Sequence, residues 1–109
     1  MPISDEAMIS HEWIKQCIEK QHYRYSRHGD RERQNDGLNL AEVEQAMASG
    51  RIIEQYGDTG RGESCLLAGF TDGGKPVHVV CGAMADWLVI ITLYIPTPPK
   101  FKNPYERGN

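Results

Sequence analysis

The stretch that decides the fold is Trp87-Leu88-Val89-Ile90-Ile91-Thr92-Leu93-Tyr94-Ile95, a run rich in β-branched and aromatic residues. Such residues favour a β-strand, and the run is too short to span a membrane as a helix. It alternates little between apolar and polar residues, which indicates a central strand with both faces covered. Pro96, Pro98 and Pro99 follow and end the sheet, because proline has no amide proton for the ladder.

Earlier in the chain, three further segments have the composition of strands. They are Arg51–Tyr56, Ser64–Thr71 and Pro76–Gly82. A short aromatic alternation at His22–Ser26 is a fourth candidate. The sheet is therefore expected to hold four or five strands.

The turn Asp72-Gly73-Gly74-Lys75 is expected to join two of these strands as a tight hairpin, because paired glycines adopt positive φ angles. If Asp72 lies opposite Lys75, Gly69 lies opposite His78. Cys65 and Cys81 then point to opposite faces of the sheet, so no disulfide between them is expected unless a bulge shifts the register.

Helices are expected in the N-terminal half. The first runs from Ser4 or Ser10 to about Lys20, with a serine as its cap. A second, capped by Ser26, covers Arg27–Gln34.

The third helix has the clearest signals. Asn39 and Glu42 form a capping box, and Leu38 and Val43 occupy the positions of a hydrophobic staple. Gly50 is placed to end the helix in the left-handed conformation. The predicted buried stripe consists of Leu40, Val43, Ala46 and Met47.

These elements predict a single α+β domain over residues 1–109. Two or three N-terminal helices pack on a four- to five-stranded, mainly antiparallel sheet. The polar tail, residues 100–109, is expected to lie along the surface or to fray.

Composition narrows the class of protein. The chain has 109 residues, 25% of them charged, and a net charge of -3. This acidity argues against coating nucleic acid by bulk charge, although a local basic patch is compatible with it. The three cysteines have no metal spacing and the N-terminus is acidic rather than signal-like, so free thiols in the cytoplasm are expected.

The sequence has no phosphate-binding glycine loop, paired-cysteine motif or nucleophile elbow, so no cofactor or metal is expected. Its densest polar cluster consists of Arg24, Arg27, His28, Arg31 and Arg33. On a helix, Arg27 and Arg31 share a face beside His28, an arrangement that can bind phosphate. The interleaved Asp30 and Glu32 favour a solvated, salt-bridged helix face over a phosphate site on the residues alone.

His78 is the second residue of chemical interest, although a lone histidine on a strand is more often structural. If it meets His28, two imidazoles can cleave RNA without a metal, because one takes the 2′-hydroxyl proton and the other protonates the leaving oxygen. In this hypothesis Arg27 and Arg31 stabilise the charge on phosphorus, and Tyr94 is a further proton donor. Spacing does not show whether these groups converge.

Several blocks of the sequence resemble the bacterial domain-of-unknown-function 4258 family. They are Tyr25–His28, Leu38–Glu54, Ser64–Gly69, Pro76–Val80 and Val89–Pro96. That family is thought to be related to RelE-like and BrnT-like toxins, small α+β proteins with helices on an antiparallel sheet.

The resemblance implies a toxin-like endoribonuclease acting on messenger RNA, with a zinc-finger or helix-turn-helix antitoxin as its partner. Within it, His28, His78 and Tyr94 match the family pattern, and Arg24 and Arg33 are expected to hold RNA. Glu32 and Asp36 stand where the family has arginines. An inactive or differently active member is therefore an alternative.

Three functions stay open from the sequence. The first is a metal-independent endoribonuclease of a toxin–antitoxin pair. The second is a non-catalytic protein-binding module of the same fold, which the mild acidity favours. The third is a structural protein that forms a homodimer through the apolar last strand. Closeness of the His28 and His78 rings would favour the first function, and separation of the two rings by the sheet would favour the second.

Overall fold

The structure is a computed structural model that describes residues 9–57, 62–98 and 101–107. Its helices are α1 (His11–Glu19), α2 (Arg27–Asn35) and α3 (Leu40–Ser49). Its strands are β1 (Tyr23–Tyr25), β2 (Arg51–Tyr56), β3 (Ser64–Phe70), β4 (Pro76–Met84), β5 (Trp87–Tyr94), β6 (Phe101–Asn103) and β7 (Glu106–Arg107). None of the helices in these ranges is long and apolar enough to cross a membrane.

The main sheet has five strands in the order β1-β5-β4-β3-β2, and a separate hairpin joins β6 to β7. β1 runs parallel to β5, and the other neighbours are antiparallel. The prediction of an α+β fold with a mainly antiparallel sheet is therefore confirmed. β5 is an interior strand, as its apolar composition predicted.

Side-chain caps begin all three helices, as predicted. Ser10 Oγ accepts from the Trp13 amide, and Ser26 Oγ accepts from the Gly29 amide. Asn39 and Glu42 form the expected capping box. Each cap pairs an amide that the first helical turn leaves without an intrahelical acceptor.

Two details of α3 differ from the prediction. Leu40 is 52% exposed, whereas Leu38, before the cap, is 2% exposed and completes the core. Gly50 is extended (φ -84°, ψ -169°) rather than left-handed. A Cβ atom on Gly50 would lie 2.5 Å from the Ala68 carbonyl oxygen, so glycine is needed there for the close approach of α3 to the sheet.

Helices α1 and α3 pack on one face of the sheet, here called the helix face. Its core is formed by apolar residues of α1 and α3 and by alternate residues of β3, β4 and β5: Ile14, Cys17, Ile18, Val43, Ala46, Met47, Cys65, Leu67, Val77, Val79, Cys81, Leu88, Ile90 and Leu93. The other face of the sheet is called the open face. Residues between those of the helix face, His78 among them, point to the open face because strand side chains alternate.

The register of the β3–β4 hairpin differs by one residue from the prediction. The Thr71 amide donates to the Lys75 carbonyl, so a five-residue loop replaces the expected tight Gly-Gly turn. His78 consequently lies opposite Ala68 rather than Gly69. The prediction that Cys65 and Cys81 point to opposite faces is wrong, because a one-residue shift exchanges the faces and sets them directly opposite each other.

The open face is covered at one end and exposed at the other. Residues 101–107, part of the tail predicted to lie along the surface or fray, form the β6–β7 hairpin, here called the cap, on the covered end. At the other end Trp87 and Ile91 are 38% and 39% exposed. The prediction that both faces of β5 are covered therefore holds only near Tyr94.

Candidate functional site

A row of polar and aromatic residues crosses four strands at the covered end of the open face. Arg51 on β2 lies opposite Ala68 on β3, which lies opposite His78 on β4, which lies opposite Tyr94 on β5. Opposite residues of neighbouring strands point to the same face. The register therefore aligns a guanidinium, an imidazole and a phenol in one line, here called the His78 row.

Both ring nitrogens of His78 are engaged. Nδ1 lies 3.3 Å from Tyr94 Oη, and Nε2 lies 2.5 Å from the Pro104 carbonyl oxygen. A carbonyl oxygen only accepts hydrogen bonds, so Nε2 carries a proton. In the neutral imidazole, Nδ1 then accepts from the Tyr94 hydroxyl. His78 is 0% exposed, so in this conformation nothing in solution reaches its ring.

The cap closes the row through Pro104 and Tyr105. The Tyr105 ring packs edge-on against Phe70 with their centroids 6.0 Å apart. The Arg51 guanidinium carbon lies 3.9 Å from the centre of the same ring, a cation–π contact. These ring contacts and the His78 hydrogen bond hold the turn between β6 and β7 over the row.

The predicted phosphate-binding residues of α2 lie outside the His78 row. Arg27, His28 and Arg31 are exposed. Arg27 and Arg31 line a surface cavity of about 290 Å³ together with polar side chains of the same helix. Asp30 also lines this cavity, but its carboxylate is paired with Arg33, so the cavity can take an anionic group that stays in contact with water.

Arg33 and Arg24, the two predicted RNA-binding arginines, have different surroundings. Arg33 forms a salt bridge of 2.9 Å with Asp30 and donates to the Leu38 carbonyl, and its guanidinium lies over the Tyr25 ring. These contacts join α2 to the core. Arg24 is exposed on the open face, with Nη2 3.2 Å from the sulfur of Met84.

His28 and His78 are not brought together. No contact among the described residues joins them, and one ring is exposed while the other is closed under the cap. α2 begins beside β5, where Ser26 Oγ donates to the Ile91 carbonyl. A Cβ on Gly29 would lie 2.6 Å from the Ile90 carbonyl oxygen, so this glycine permits the close packing of α2 on β5.

The exposed half of the open face contains a groove. A second cross-strand row runs through Arg24, Val89, Gly82, Ser64 and Tyr56. Because Gly82 and Ser64 have small side chains or none, a cavity of about 260 Å³ forms above them. Its walls are largely apolar and include Met84 and Ile91, which are 54% and 39% exposed.

The sequence was compared with models of known protein families, with curated proteins and with solved structures. The model of the family described as "Domain of unknown function (DUF4258)" matches residues 25–95. The chain belongs to this family. Neither the curated proteins nor the solved structures contain a match.

The DUF4258 match runs from the last residue of β1 to the end of β5 and includes His28, His78 and Tyr94. It also includes Arg51, which the sequence reasoning missed. No local signal marks it, because Arg51 comes into line with His78 only through the observed β2–β3 and β3–β4 registers, which set Ala68 between them. The cap, in contrast, lies outside the matched range, and no pattern in the tail indicated that it would cover His78.

Proposed function

We propose that this protein is a toxin-like endoribonuclease of a bacterial toxin–antitoxin module, which cleaves messenger RNA without a metal at the His78 row. The observation that supports this proposal is the alignment of Arg51, His78 and Tyr94 on one face. It replaces the pairing of His28 with His78, because those two rings do not meet. Their separation counts against the two-histidine mechanism and favours the protein-binding module described below as the second candidate. The expected partner is a zinc-finger or helix-turn-helix antitoxin.

The cap must move before RNA can reach the row. With Pro104 displaced, His78 Nε2 loses its carbonyl acceptor. The imidazole can then hold its proton on Nδ1, where it donates to Tyr94 Oη, and Nε2 becomes a free base. The cap thus controls both access to His78 and the tautomer of its ring.

In the proposed reaction, Nε2 of His78 takes the proton of an RNA 2′-hydroxyl, and the 2′-oxygen forms a bond to phosphorus. The bond from phosphorus to the 5′-oxygen breaks, and Tyr94 gives that oxygen its proton. Tyr94 is reprotonated from Nδ1 of His78, so the protons balance. Arg51 stabilises the negative charge that develops on the phosphoryl oxygens. The products carry a 2′,3′-cyclic phosphate and a 5′-hydroxyl.

The exposed α2 cluster would supply binding rather than proton transfer. Arg27, His28 and Arg31 stand beside β5, the strand that carries Tyr94, and Arg24 lies on the neighbouring β1. A few such cations can contact RNA phosphates despite the net negative charge of the chain, because phosphate binding depends on local potential.

Replacing Tyr105 by alanine tests this proposal. The substitution removes the ring that packs on Phe70 and Arg51, so the cap should open more often. We expect RNA cleavage in EDTA to rise at least about tenfold over the wild-type chain, because activity scales with the open fraction. The measurement is the rate of cleavage of an end-labelled RNA.

Tyr56→Ala is the matched control, since it removes a tyrosine from the same face at the far end of the sheet, and its cleavage rate should equal that of the wild type. A Tyr105→Ala chain that keeps the wild-type circular dichroism spectrum and cleaves no RNA would refute the nuclease proposal.

A non-catalytic protein-binding module is the second candidate, and the groove is the observation that favours it. Its occupant would be an extended segment of a partner protein. That segment would place an apolar side chain between Tyr56 and Ile91 and an acidic residue beside Arg24, whose positive charge lies in the same cross-strand row as the groove.

Peptides selected on the wild-type chain from a random library test this candidate. They should carry an apolar residue next to an acidic one. They should lose at least about tenfold in affinity for Ile91→Glu and none for Thr97→Glu, an exposed control outside the groove. Peptides that bind both variants equally, or a selection without enrichment, would exclude the groove as a binding site.

A further inference from the structure

Two buried thiols face each other in the middle of the sheet. Cys65 on β3 and Cys81 on β4 are directly opposite, and their sulfur atoms are 3.8 Å apart. Both are 0% exposed. Cys17, on α1, is the third buried thiol, and no hydrogen bond of its sulfur is found in the described parts of the chain.

We propose that Cys65 and Cys81 are a disulfide-forming pair, which closes to a cross-strand disulfide when the chain folds in the presence of a small-molecule disulfide. The register already points both Cβ atoms to the same face. The sulfur atoms need to approach from 3.8 Å to the bond length of about 2.0 Å. This inference is independent of the proposed nuclease activity.

The reaction is ordinary thiol–disulfide exchange. One cysteine thiolate attacks oxidised glutathione and releases one glutathione thiolate, leaving a mixed disulfide. The second cysteine thiolate attacks the protein sulfur of that mixed disulfide and releases the other glutathione. Two protein thiols are thereby oxidised, one small disulfide is reduced to two thiols, and the two cysteine protons pass to glutathione.

The surroundings of the two cysteines explain why the disulfide forms during folding and not in the folded chain. A hydrogen bond with Cys65 and burial raise the pKa of the Cys81 thiol well above its ordinary value. Thiolate is therefore scarce in the folded chain, and the reagent cannot reach the core. In the unfolded chain both thiols are accessible, and folding then aligns them. Once formed, the bond links the strands that carry both the His78 row and the groove.

Refolding in a glutathione buffer tests the inference. The full chain is diluted from urea into reduced and oxidised glutathione and then unfolded again in urea that contains an alkylating reagent, which blocks every free thiol. Its peptides are mapped by mass spectrometry. We expect a folded product that, before alkylation, is two hydrogens lighter than the reduced chain. After alkylation, Cys17 alone should carry the reagent, and Cys65 should be linked to Cys81. Its urea midpoint should be higher than that of the reduced chain.

Two variants distinguish a bond between Cys65 and Cys81 from one that includes Cys17. Cys17→Ser should still form the bond, and Cys81→Ser should not. If Cys81→Ser fails to fold, the peptide map of Cys17→Ser decides alone. A folded product with all three cysteines alkylated, or one whose main disulfide includes Cys17, would overturn the inference.

Discussion

RNA cleavage by the Tyr105→Ala chain is expected to fall by roughly 10²- to 10⁴-fold when His78 is also replaced by alanine, the usual contribution of a positioned acid or base. In the proposed reaction His78 takes the 2′-hydroxyl proton, so its replacement removes the general base. The measurement is the single-turnover cleavage rate of the two chains on the same RNA.

His28→Ala in the same Tyr105→Ala background is the matched control. His28 is exposed and joined to His78 by no described contact, so its loss should weaken RNA binding a few-fold and leave the saturated rate unchanged. Equal losses for both histidines would favour the two-histidine mechanism instead. An unchanged cleavage rate in the chain without His78 would show that the His78 row takes no part in catalysis.

Gly69→Ala is expected to destabilise the protein strongly. A Cβ at this position would lie 1.8 Å from the Ala46 carbonyl oxygen and 2.7 Å from its carbonyl carbon. These are backbone atoms of α3, so the clash is relieved only by moving the helix off β3. We expect a loss of at least about 4 kcal/mol in the free energy of unfolding, which urea titration measures.

Gly73→Ala provides the comparison for this experiment. A Cβ there would have only the Thr71 hydroxyl within 4 Å, at 3.8 Å, so its cost should stay within about 0.5 kcal/mol. A Gly69→Ala chain with the urea midpoint of the wild type would show that α3 does not pack on β3 as closely as described.

Local signals predicted the elements of this fold well. The N-cap residues Ser26 and Asn39 mark the starts of two helices. They could be recognised because a short polar side chain before a helical segment is a local property of the sequence. The interior position of β5 followed from its composition in the same way. Neither inference depends on contacts between distant segments.

The register of β3 and β4 could not be predicted in this way. Asp72-Gly73-Gly74-Lys75 fits a tight hairpin, but the hydrogen bond between Thr71 and Lys75 makes a longer loop. That difference of one residue exchanges the faces of the sheet. It decided whether Cys65 meets Cys81 and whether Arg51 lies in line with His78.

The candidate site was predicted only in part for a similar reason. His78 and Tyr94 were named as candidates without a prediction that they meet, and the structure sets them opposite each other. The cap over them depends on the tail returning across the sheet. The contact of Tyr105 with Arg51 joins residues far apart in the chain. Single-sequence patterns carry little information on such contacts.

The most direct test of the central proposal is the chemistry of the RNA ends. The fragments that the Tyr105→Ala chain produces in EDTA can be identified by mass spectrometry. Attack by the 2′-hydroxyl at the His78 row predicts a 2′,3′-cyclic phosphate and a 5′-hydroxyl, and no cleavage of the same strand in 2′-O-methyl form. Fragments with 5′-phosphate ends, or cleavage of the methylated strand, would contradict it.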